Sequence, residues 1–73
     1  MEPHIVIKKR SVILYGHKTS ISIEDDFWIF LKDFANKNNT PIHKLIEKID
    51  KKRNGQNLSS AIRLFCFNIA KRR

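Results

Sequence analysis

Between residues 16 and 35, "GHKTSISIEDDFWIFLKDFA", the hydrophobic rhythm changes without a loop. From Lys18 to Ile23 the pattern alternates, with Ile21 and Ile23 on one side and Lys18, Ser20 and Ser22 on the other. That is the two-residue period of a strand with one buried face. From Phe27 onward apolar residues recur at Phe27, Leu31 and Phe34, with Trp28, Phe30 and Ala35 beside them, as on an amphipathic helix. Only the acidic "EDD" separates the two. A lone strand cannot hide its edge, but two copies can pair antiparallel across a dimer axis. The paired ribbon would bury four isoleucines and present Lys, Ser and Ser twice on its outer face.

Chain size points the same way. A domain of 73 residues buries only about 60% of its unfolded surface, and such cores are marginal alone. Support comes from disulfides, a metal or oligomerisation. Cys66 is the only cysteine, and His4, His17, His43 and Cys66 show no ligand-pair spacing, so no metal site or cofactor is expected. Oligomerisation remains, and a homodimer is the expectation. The lone thiol, the lack of a membrane-length apolar run and the lack of a secretory apolar stretch read as a cytoplasmic chain with no membrane partner.

The net charge of +8 favours a polyanionic partner, nucleic acid first and an anionic membrane second. Its distribution says more. Residues 1 to 23 carry four basic and one acidic side chain, residues 24 to 39 two and four, and residues 40 to 73 nine and two. The first helix is therefore the segment least suited to face an anion. Lys8, Lys9, Arg10, His17, Lys18 and Lys44 are the candidate phosphate contacts.

The whole chain reads as one domain of two strands and three helices, mainly α with a short β-ribbon. Residues 1–8 form a loosely held terminus, with a possible short strand at Ile5 to Ile7. "SVILY" and residues 18 to 23 make a hairpin about a Gly16–His17 turn. The first helix is expected from about Asp25 to Asn38, begun by Glu24, Asp25 and Asp26 and ended by a left-handed Asn38 or Asn39. Its apolar arc leaves Ile29 on the polar side. The second runs from Pro41 to about Arg53, with Thr40 as N-cap and a stripe of Ile42, Leu45, Ile46 and Ile49. Gly55 breaks the chain, and Asn57 caps a third helix over Leu58 to Lys71. That helix is apolar on two faces, Leu64 and Phe67 lying opposite Ala61, Ile62 and Phe65. A small chain has too little of itself to cover both.

Catalytic constellations are missing from the sequence. It has no glycine-rich phosphate loop, no paired carboxylates in an apolar run and no base near Cys66, so neither enzymatic activity nor a small-molecule substrate is expected. Cys66 reads as a small core hydrophobe, and His17 as a turn or phosphate-contacting residue. The outward Lys18, Ser20 and Ser22 carry more chemistry. A two-stranded ribbon fits the DNA major groove, where Lys donates to guanine and Ser donates or accepts. A half-exposed strand also needs polar residues outside for solvation alone.

The strand that runs directly into a helix, the short turn and second helix, and the blocks "KRSVILYGHKTSISIEDDFW" and "NLSSAIRLF" resemble a bacterial subgroup of the ribbon-helix-helix family. The likeness covers about residues 9 to 67. It implies an obligate dimer with an N-terminal hairpin and an added C-terminal helix, binding double-stranded DNA through its ribbon as a transcriptional regulator. By that likeness Lys18, Ser20 and Ser22 match the outward ribbon positions, and Thr40, Pro41 and Ile42 match the phosphate-anchoring turn. Lys18 stands where many relatives have Arg, a point charge in place of a bidentate fork. "NNT" stands where Gly is common, and Asn can serve that turn.

A protein-interaction module, antitoxin-like or an adaptor, is the alternative of a different class. Ile29, Leu64 and Phe67 would then dock another protein, with DNA binding secondary or absent. The sequence closes at "AKRR", with no long segment to wrap a toxin, which places this reading second. RNA binding would want exposed aromatics, whereas Phe27, Phe30, Phe34 and Phe65 fall on stripes expected to be buried.

Overall fold

A computed structural model describes residues 7–72. Two antiparallel strands, β1 (Ile7–Leu14) and β2 (His17–Glu24), precede three helices, α1 (Asp25–Lys37), α2 (Ile42–Lys52) and α3 (Leu58–Lys71). The helices pack on one face of the hairpin. No helix among the described residues is long and apolar enough to cross a membrane.

The hairpin differs from expectation at its turn and in the length of β1. Its turn is Tyr15–Gly16, both with positive φ (54° and 79°), the signature of a two-residue type I′ turn. His17 therefore belongs to β2. Tyr15 occupies a backbone region that an aromatic residue rarely adopts, and α2 holds it there. Its amide donates to Glu47 Oε2 (2.8 Å), and its hydroxyl reaches Asp50 Oδ2 (3.0 Å) and the Glu47 carbonyl (3.2 Å). Strand β1 begins at Ile7, not Ser11, because Lys8 and Arg10 occupy inward positions that no hydrophobic pattern reveals. Ile7 and Lys8 are thus paired in the hairpin, and the rest of the terminus, residues 1–6, lies outside the described residues.

Helix α1 ends in a Schellman motif. Asn39 takes the left-handed conformation (φ 52°), its amide donates to the Asn36 carbonyl (3.1 Å), and that of Thr40 donates to Ala35 (2.9 Å). Asparagine does the work of the glycine common at this turn. Thr40 is not the cap of α2. Its hydroxyl turns back to the Asn38 carbonyl (3.0 Å), and Pro41 occupies the N-cap position without side-chain capping. Asn57 does cap α3, accepting from the Ser60 amide (2.8 Å).

Ile23, Leu31, Ile46 and Ile62 have no exposed surface, and they come from β2, α1, α2 and α3 in turn. Each such burial is worth about 1.5–3 kcal/mol, so the centre of the core ties all three helices to the ribbon. Phe34 and Phe65 close one end with ring centroids 5.3 Å apart. Ile29, Leu64 and Phe67 stay exposed (62%, 49% and 60%), as their positions on the helical wheel imply.

Candidate nucleic-acid interface

Register builds the outer face of the hairpin. Lys9 sits opposite Ser22, Ser11 opposite Ser20 and Ile13 opposite Lys18, and all six side chains are exposed. Cross-strand partners share a face, so β1 adds Lys9 and Ser11 to the row formed by Lys18, Ser20 and Ser22. Sequence alternation within β2 alone missed them. The Tyr15–Gly16 turn is the signal that sets the pairing.

The two-residue turn also determines where the backbone groups point. Leu14 and His17 flank it as a hydrogen-bonded pair, so Thr19, Ile21 and Ile23 direct their amides and carbonyls toward β1. Lys18, Ser20 and Ser22 direct theirs away, to an edge with no neighbouring strand among the described residues. The Ser59 hydroxyl donates to the Ser22 carbonyl across that edge (2.7 Å). The same short row therefore offers side chains outward and backbone groups sideways.

Arg10 does not join this face. It lies on the helix side of β1, paired with Asp25 and stacked over Trp28 (5.4 Å to the ring centroid). Its Nε is buried without an acceptor among the described residues. Lys8 also reaches Asp25 (3.6 Å). The Arg10 hydrogen bond and the charge of Lys8 hold the Asp25 carboxyl below its usual range. Glu24 is held down likewise by its bond to Arg63 (2.8 Å). Both acids begin α1 as expected, Glu24 at the N-cap position without a side-chain cap and Asp25 in the first turn, and they also tie the helix to β1 and α3. His17 is exposed at the start of β2, beside the tip of the hairpin.

Thr40, Pro41 and Ile42 form a separate place. They border Lys32 and Asn36 of α1, while the hairpin tip meets α2 at Glu47 and Asp50, more than a turn further along. Lys44 and Leu45 donate to the Pro41 carbonyl (3.0 and 3.1 Å). The amides of Ile42 and His43 have no acceptor among the described residues, and they sit at the positive end of the helix dipole. Lys44, Lys48, Lys51 and Lys52 recur at helical spacing and are exposed. This basic stripe leads from the start of α2 toward the hairpin, where Lys51 lies over the Tyr15 ring (5.9 Å). The helical spacing of these four lysines is visible in the sequence.

A hairpin that passes straight into the first of three helices, with polar side chains outward and the helices behind, defines a ribbon-and-helix domain. The chain belongs to the ribbon-helix-helix domain family, whose model matches residues 7–70. That fold is generally one of DNA-binding transcription regulators and antitoxins. No match was found among curated proteins or solved structures.

Proposed function

We propose that the protein binds double-stranded DNA sequence-specifically as a homodimer and regulates transcription from the sites it occupies. The observation that carries this reading is the row Lys18, Ser20 and Ser22, whose side chains face solvent while its backbone edge has no strand partner among the described residues and only the Ser22 carbonyl is met, by Ser59. Pairing of two β2 edges about a two-fold axis completes the ribbon and doubles the row.

The dimensions of strands and groove support different roles for the two strands. Strands lie about 4.8 Å apart and the major groove is about 12 Å wide. Four strands, β1–β2–β2–β1, are too broad to enter together. The central β2 pair enters, with Lys18 donating to guanine and Ser20 and Ser22 meeting base edges. Each β1 stays at the rim, where Lys9 meets phosphate. The free amides at Ile42 and His43, with Lys44, anchor the backbone as a helix N-terminus does for anions. Thr40 and Pro41 shape that anchor without donating to it.

Selection of bound fragments from random duplexes, followed by affinities across a salt series, tests the reading. It expects an enriched site with two-fold symmetry and an affinity that falls with salt by roughly 0.9 log units per phosphate per decade. No enrichment, or an affinity indifferent to salt, removes it.

A further inference from the structure

Ile13 breaks the pattern of its own strand. Its neighbours Val12 and Leu14 are buried in the core, so alternation calls for a polar side chain between them. Position 13 carries isoleucine, 56% exposed on the outer face of the hairpin. A single exposed aliphatic residue is common on protein surfaces, so its place matters more than its exposure. Ile13 lies directly opposite Lys18. Leu14 and His17 are the hydrogen-bonded pair that flanks the turn, so the next pair, Ile13 and Lys18, is of the other kind. Pairs of that kind hold their Cα atoms about 4.5 Å apart and their side chains closest together. Ile7, also exposed on this face, is at the far end of the hairpin, opposite the carboxylate of Glu24.

We infer that Ile13 is a further base-reading residue, selecting thymine beside the guanine met by Lys18. The inference rests on the ribbon reading proposed above and extends base contact from β2 to β1. Position is the first argument. In the order β1–β2–β2–β1, three strand spacings set the two β1 strands about 14 Å apart, slightly more than the roughly 12 Å width of the major groove. Each Ile13 therefore stands over a groove wall and not over its floor. The C5 position of a pyrimidine adjoins C6, on the glycosidic side of the ring. The thymine methyl thus lies nearer its own backbone than O4 does, within the territory of a side chain at the wall.

Chemistry is the second argument. The Ile13 side chain has no group to offer phosphate or a polar base edge. Among the groups that base pairs present in the major groove, the thymine methyl is the apolar one. Cytosine in the same place offers only a hydrogen at C5 and loses the contact. Isoleucine is stiff at χ1, so little side-chain freedom is lost when it docks. Direct opposition of Ile13 and Lys18 then places the two preferences next to each other in each half-site.

The test replaces the thymines of the selected site, one at a time, with deoxyuridine, which removes the methyl and keeps every pairing group. Affinities at fixed salt are measured for wild type and for Ile13→Ala, with circular dichroism confirming the fold of the variant. In wild type one thymine per half-site should be sensitive, next to the base pair whose preference Lys18→Ala flattens. Its replacement should weaken binding about fourfold, as for one buried methylene, and replacement in both half-sites about fifteenfold. In Ile13→Ala the same replacements should have almost no effect, which couples the side chain to the methyl. A selected site with no thymine beside the Lys18 position overturns the inference, as does indifference of wild type to every deoxyuridine. Both results leave the ribbon reading standing. If Ile13→Ala weakens the thymine and deoxyuridine duplexes equally, the side chain only supports Lys18, and the inference falls. Absence of any enriched site removes the ribbon reading and this inference with it.

Discussion

Replacing Ser20 by proline separates the two edges of β2. In the observed register the Ser20 amide faces away from β1, whereas the Thr19 amide, opposite Val12, belongs to a hydrogen-bonded pair within the hairpin. Proline removes one donor and is tolerated in strands where that donor faces outward. Ser20→Pro should therefore leave the folded chain nearly intact, while Thr19→Pro breaks the hairpin. In a β2–β2 seam the loss occurs twice, once per copy. Each lost bond forfeits about 0.5–1.5 kcal/mol, and each stranded carbonyl adds about 1–3 kcal/mol. The two sites together cost about 3 kcal/mol at the low end, which weakens association roughly 100-fold. Sedimentation equilibrium at matched concentrations reads this directly, with Ser20→Ala as the control that keeps the amide. A Ser20→Pro protein that keeps both its circular dichroism spectrum and its dimer mass would show that the β2 edge is not the seam.

Ile46→Ala removes the α2 member of the fully buried set and should cost about 2–5 kcal/mol, read as a lower urea midpoint. The carboxyls of Glu24, Asp25 and Asp50, each hydrogen-bonded to an arginine, titrate below their ordinary values. Their contribution is therefore present above the unfolded pKa values (4.5 for Glu, 3.8 for Asp) and is lost as pH falls through the lower folded ones. Thermal melts should drop across that acid range, and Arg63→Met should blunt the drop. Burial pushes the Cys66 thiol up to about 11, so alkylation at neutral pH should be slow in the native protein and fast in denaturant.

The strand-to-helix join was legible because two periods meet at one place, 2.0 through Ile21 and Ile23 and 3.6 through Phe27, Leu31 and Phe34. The three helices were legible for the same reason, and Asn57 and Asn39 behave as their side-chain chemistry implies. The first strand was not. Lys8 and Arg10 face inward because Asp25 and Trp28 receive them, and such long-range partners leave no local trace. Arg10 was a candidate phosphate contact by charge, and its place between β1 and α1, paired with Asp25 and over Trp28, is what the sequence did not reveal. Thr40 resembled a cap by residue type, but the tight turn after α1 bends its hydroxyl back to Asn38. The outward row of β2 followed from alternation, whereas its extension to Lys9 and Ser11 required the register.

Discrimination between a selected site and a scrambled duplex, at fixed salt, tests most directly whether the ribbon reads sequence. Lys18→Ala and Ser20→Ala should each cost about 1–3 kcal/mol on the selected site and flatten preference at one or two base pairs per half-site. Affinity for the scrambled duplex should change less, with a modest fall for Lys18→Ala from the lost charge. Lys44→Ala, at the proposed phosphate anchor, should instead weaken both duplexes together. Equal losses on the two duplexes for Lys18→Ala and Ser20→Ala would mean that the ribbon is a charged seam and not a reader of bases.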